Sequence, residues 1–213
     1  MRKEYLVQAW LILALALCMG AGLAAVEMSL GPIIEENKRN EMLSQVPALI
    51  PAAARAELDE QLGQTYGLPV ARALDAEGKT IGWAIQAKGP GYGGDVTVMI
   101  GLDEMLQTIK GIYVLEQKET PELGNKVILP SFRGRFENLD ATGPVTLVKK
   151  GPAGEGQVEG ITGATISSTA VVNIVNQGVR NFRKVLFEDQ PVERPLESER
   201  LDAQEERRGE DAE

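Results

Sequence analysis

The segment Glu159-Gly160-Ile161-Thr162-Gly163-Ala164-Thr165-Ile166-Ser167-Ser168 gathers small and hydroxyl-bearing residues directly ahead of an amphipathic run. In that run Val171, Ile174, Val175, Val179, Phe182, Val185 and Leu186 recur at helical spacing, which predicts a long helix over residues 168–187. A helix N-terminus carries unpaired N–H groups and a partial positive charge, so the turn before it suits a phosphate. Gly163 and Ala164 let the backbone approach closely, and Thr165 exposes a hydroxyl beside that point. Ser167 or Ser168 caps the helix or bonds phosphate oxygens. The pattern specifies an anion site with a hydroxyl in reach. Taken alone it reads first as an ordinary Ser/Thr N-cap, and it does not by itself specify a cofactor.

Two absences narrow the chemistry. The chain has no histidine, which removes Ser-His-Asp catalysis and His-ligated zinc or haem. Its single cysteine, Cys18, excludes intramolecular disulfides, Cys-ligated Fe–S clusters and c-type haem attachment. If this protein moves electrons, an organic cofactor carries them. A formal net charge of −9 argues against a nucleic-acid partner, although part of that charge sits in the last stretch of chain.

The elements that must position the site come before it. With 213 residues the chain can bury one full core plus appendages. Residues 6–26 are apolar apart from Gln8, and at the helical rise they span roughly 30 Å, a bilayer core. Arg2 and Lys3 precede this run and Glu27 follows, so the positive-inside rule puts the N-terminus in the cytoplasm and the rest on the outer face. A cleaved signal peptide is the competing reading, with small residues at Gly22-Leu23-Ala24, but the run exceeds a typical signal core. Cys18 follows Leu17, too large for a lipobox, and reads as a lipid-facing thiol.

A polar-faced helix is expected over residues 33–49, continuing outward from the anchor as a stalk until Pro47 and Pro51 break it, and a further short helix over 52–62. Residues 70–74, 80–87, 96–100 and 108–115 are strand-like runs, with a hairpin turn at 75–79 and a glycine-rich connection at 89–94. A further strand is expected at 145–149. Trp83 and Tyr113 are expected in the core, and Arg133 and Arg135 on a solvated strand edge. The fold class is α+β: one transmembrane helix, then a twisted, mostly antiparallel sheet flanked by helices. The segments are an anchor (1–27), a stalk and helical lead-in (28–64), a ligand-binding domain (65–188) and a disordered acidic tail (189–213).

Thr162-Gly163-Ala164-Thr165 resembles the S/T-G-A-T flavinylation motif of the FMN-binding domain family. That family includes the G subunit of Rnf electron-transport complexes and the C subunit of sodium-pumping NADH:quinone oxidoreductases. Glu119-Thr120-Pro121-Glu122-Leu123-Gly124-Asn125-Lys126 resembles the family's E-T-P-G-L-G segment, and Gly91-Tyr92-Gly93-Gly94 and the N-terminal anchor also follow its pattern. The resemblance implies FMN held through a phosphoester to Thr165, installed by an FMN transferase that uses FAD. It implies a ring pocket drawn from Glu119, Thr120, Leu123 and Gly124, with Glu119 alternatively pairing with Lys126.

The implied role is a redox subunit of an Rnf-type ion-translocating complex, working with other membrane subunits and not catalytic alone. A C-type quinone-reductase subunit, a free-standing anchored flavoprotein and a non-covalent binding module are the alternatives. Two departures stand out. Glu159 replaces the family's usual Asp, and Glu122 falls where Gly is common; if that position needs φ > 0, the substitution strains the loop by about 1 kcal/mol or more.

Overall fold

The β-branched runs in the middle of the chain pair with their sequence neighbours, because each is joined to the next by a turn too short for a crossover. The computed structural model describes residues 2–149 and 154–187. In it β1 (Arg55–Leu58), β2 (Val70–Leu74), β3 (Thr80–Pro90), β4 (Asp95–Asp103), β5 (Thr108–Glu116) and β6 (Leu139–Asp140) form one antiparallel sheet in sequence order. The β2–β3 hairpin closes where the Asp75 carboxylate accepts the Glu77 and Lys79 N–H groups and Gly78 adopts φ 85°. A separate parallel pair joins β7 (Thr146–Val148) to β8 (Gln157–Glu159).

Strand alternation gives the sheet two apolar faces, and one helix covers each. Trp83, Ile85, Val98, Ile100, Leu102 and Ile112 meet Val171, Val175 and Phe182 of α4 (Thr165–Phe187). On the other face Ala71, Ala73, Ala84 and Met99 lie under Met42, Val46, Leu49 and Ile50 at the end of α1 (Arg2–Leu49). The small residues there permit close approach: a Cβ at Gly101 would lie 3.0 Å from Leu49 Cβ.

Several expectations are corrected. The anchor runs on into the stalk as one helix, α1, as expected, but Pro47 does not break it: the helix continues through Pro32 and Pro47 and stops only before Pro51. Pro47 is tolerated because it removes one bond in the last turn, whereas Pro51 disfavours helical geometry at Ile50. The short helix expected over 52–62 is instead β1 followed by α2 (Glu60–Tyr66). Pairing with β2 overrides the helix preference of Arg55, Ala56, Glu57 and Leu58, and the Asp59 carboxylate accepts the Leu62 N–H at 3.0 Å to start α2 at residue 60, about two turns later.

Arg133 and Arg135 do not sit on a strand edge. They belong to α3 (Pro130–Arg133) and the tight turn Gly134–Phe136, whose Phe132 and Phe136 are buried. Trp83 is buried edge-on to Phe182 as expected, while Tyr113 is half-buried with the Arg133 guanidinium 4.8 Å above its ring. The acidic tail, 189–213, lies outside the described residues.

Candidate functional site

Helix α4 begins at Thr165, ahead of the predicted start at Ser168, and its first turn lacks the usual cap. Gly163 turns the chain with φ 83°, a region costly for any side chain. Ala164 donates its N–H to Ile161 O and accepts from Ser168 N, which puts it at the capping position with no oxygen to offer. The N–H groups of Thr165, Ile166 and Ser167 consequently have no acceptor among the described residues. This differs from α2, where Asp59 fills that role. Three unpaired donors at the head of a 23-residue helix form an anion cradle.

Neither serine expected to cap or to hold phosphate is available for it. The Ser168 hydroxyl is buried, accepts the Ile161 N–H at 3.0 Å and donates to Ala164 O at 2.9 Å. The Ser167 hydroxyl is also buried and donates to Glu119 Oε2 at 2.5 Å. Thr162 and Thr165 are both exposed, and the Thr165 hydroxyl makes no hydrogen bond among the described residues. It stands free beside the cradle.

Glu119 organises the surroundings. Its Oε1 accepts the Tyr92 and Gly93 N–H groups at 2.7 and 3.2 Å, while Oε2 takes the Ser167 hydroxyl. One buried carboxylate thereby holds the β3–β4 turn, the loop after β5 and the first turn of α4 together. The alternative pairing with Lys126 is not formed. Gly124 is buried against this centre, since a Cβ there would fall 2.4 Å from Glu119 Oε2 and 2.5 Å from Ser167 Oγ.

The rest of the loop is open. Thr120 and Leu123 are exposed, and Leu123 lies over the bare face of Gly163. Glu122 adopts φ 60°, so this position does use the conformation that favours glycine. Two surface cavities of about 770 and 740 Å³ open elsewhere, beside α1 and beside the end of β5, and neither is lined by Thr165. Sequence reasoning missed Arg135, whose guanidinium donates to the Glu159 and Gly160 carbonyls and braces the chain entering the site. Its sequence carries no signal for that role.

The fold and site define an α+β domain, entered from a long apolar helix, that presents a free hydroxyl beside an anion cradle. Residues 91–180 match the FMN-binding domain family model. The chain is 31% identical over 148 residues to the G subunit of the ion-translocating oxidoreductase complex of Methanosarcina acetivorans, covering 68% of this chain and 73% of that one. With the corresponding protein of Vibrio atlanticus it shares 32% identity over 190 residues, covering 80% and 87%. A solved structure of the C subunit of the Na⁺-translocating NADH-quinone reductase from Parabacteroides distasonis superposes with a TM-score of 0.51 at 24% identity, over 73% of this chain and 83% of that one. At that identity the likeness establishes the fold. The chain belongs to the FMN-binding domain family that includes these G subunits.

The residues fit an FMN. The unpaired N–H groups of the first turn match a phosphate, the free Thr165 hydroxyl can be esterified without breaking an internal bond, and Leu123 and Ile166 offer apolar surface alongside.

Proposed function

We propose that this chain is the G-type electron-transfer subunit of an Rnf-type ion-translocating oxidoreductase, with FMN bound covalently through a phosphoester to Thr165. The observation that carries this reading is the uncapped start of α4, with three unpaired N–H groups beside a hydroxyl that has no internal partner. The names of the related subunits supply the assembly.

In the attachment step the Thr165 oxygen displaces AMP from FAD. A P–O bond forms to threonine, the P–O–P anhydride bond breaks, and the hydroxyl proton is lost to an FMN transferase acting on the folded chain. Once bound, the isoalloxazine supplies reversible electron transfer. The chain's own residues hold the diester charge at the head of α4, worth roughly 0.3–1 kcal/mol, and set the ring's position through the Glu119-centred loops. Gly163 keeps the backbone out of the phosphate's way, and Arg135 fixes the strand end from which the turn departs.

Helix α1 is long and apolar enough to cross a membrane, with an exposed apolar surface through residues 12–34. In this reading it anchors the subunit in the cytoplasmic membrane, N-terminus inside and flavin domain outside, against the other membrane subunits.

The test is intact mass and denaturing electrophoresis after co-expression with an FMN transferase. Wild type gains the mass of FMN less one water and gives an ultraviolet-fluorescent band. Thr165→Val gives neither, and Thr162→Ala lowers the labelled fraction. Full labelling of the valine variant refutes the attachment site. Recovery of a soluble form lacking the first apolar run refutes the anchor.

A further inference from the structure

The β3–β4 turn is built so that it can display one side chain. Gly91, Gly93 and Gly94 are all packed against the loop after β5: a Cβ at Gly91 would lie 2.1 Å from Glu119 Oε1, one at Gly93 2.4 Å from Lys118 O, and one at Gly94 3.0 Å from Lys118 Cβ. Position 92 is the one place in the turn with room for a side chain, and there the chain places a tyrosine that is 67% exposed. The backbone beneath it is pinned, since the Tyr92 and Gly93 N–H groups both bond Glu119 and Gly91 N–H bonds Gly94 O at 2.8 Å.

Leu123 and Ile166 are 49% and 61% exposed on the two segments held by the same carboxylate. Three large apolar side chains left in water on three segments tied at one point form a surface prepared for an apolar ligand. From the α4 end that surface is close: the Ser167 hydroxyl and the Tyr92 amide share one carboxylate, at 2.5 and 2.7 Å. An FMN esterified at Thr165 starts two residues from Ser167, beside the same tie point.

Resting on the attachment reading above, we infer that Tyr92 is a flavin-contacting residue: its ring stacks on the isoalloxazine, which lies over Leu123 and Ile166. Offset stacking of a phenol on the electron-poor ring is the favoured aromatic geometry. The pinned backbone means that little freedom is lost in forming it.

The test uses the full-length, detergent-solubilised chain labelled by an FMN transferase, as wild type, Tyr92→Phe, Tyr92→Ala and Tyr113→Phe. Intact mass measures the label, and the ratio of native to denatured flavin emission measures quenching. A stacked phenol quenches by lending an electron to the excited ring and regaining it in the dark; a phenyl group does so far less well. With emission normalised to the labelled fraction, a several-fold rise in the ratio is expected for both Tyr92 variants and no change for Tyr113→Phe. If the alanine variant fails to fold, Tyr92→Phe decides alone. An unchanged ratio in labelled Tyr92→Phe overturns the contact while leaving the attachment site standing. Absence of label from the wild type overturns both.

Discussion

Removing the Glu119 side chain should loosen three segments at once, and the size of the loss follows from its bonds. Glu119→Ala strands two backbone donors, Tyr92 N–H and Gly93 N–H, and the buried Ser167 hydroxyl. Each stranded group costs about 1–3 kcal/mol, and water entering near the exposed turn recovers part of that, so the net loss is about 3–5 kcal/mol. Glu119→Gln behaves differently. The amide oxygen still serves both backbone donors, and the amide nitrogen donates to Ser167, whose hydroxyl rotates to accept. All three donors and acceptors keep a bond, and what is lost is charge assistance and the bond that the Ser167 hydroxyl itself donates, about 1–2 kcal/mol. In thermal unfolding of the solubilised chain followed by tryptophan emission, these losses correspond to Tm reductions of about 10 °C and about 4 °C. Ser167→Ala combined with Glu119→Ala should cost less than the sum of the singles by about 1 kcal/mol, because both remove the same bond. Equal Tm values for Glu119→Ala and wild type, or strict additivity with Ser167→Ala, would refute the carboxylate's role as the common tie.

The remaining expectations concern backbone and bracing. Glu122→Gly should raise stability by about 0.5–1 kcal/mol, since φ 60° strains glutamate but not glycine; a lowered Tm contradicts it. Gly163→Ala, at φ 83°, should cost about 1 kcal/mol or more and reduce flavin labelling, read from Tm and band fluorescence together. Asp59→Ala removes the cap of α2 and should cost about 1 kcal/mol while leaving labelling unchanged, as α2 lies outside the site. Arg135→Met loses bonds to two carbonyls and should slow labelling by an FMN transferase in a time course, although the side chain touches neither threonine.

Where local pattern and tertiary demand agreed, the sequence could be read. The run 70–74 is a strand over the same residues, and the Asp75–Lys79 turn carries its own chemistry in an aspartate and a glycine. The long apolar stripe of α4 and the apolar N-terminal helix followed from periodicity and composition alone. Residues 55–58 misled because Arg, Ala, Glu and Leu all favour helix until a neighbouring strand offers a ladder, and that offer is invisible locally.

The site divided along the same line. Gly163 and Thr165 were legible because backbone freedom and a hydroxyl are properties of single residues. The partners of Glu119, Ser167 and Arg135 were not, since each bond spans more than twenty residues and depends on how separate segments meet.

The unbroken run of α1 has a mechanical consequence. Its last turns are core residues, Met42 and Val46 having no exposed surface, and the same rod continues outward through the apolar stretch. No loop separates the two, so tilting the helix beyond Pro32 carries the whole sheet with it. The reach of Thr165 toward any neighbour is therefore set by a lever arm instead of a leash, and a glycine spacer inserted near residue 38 would turn one into the other.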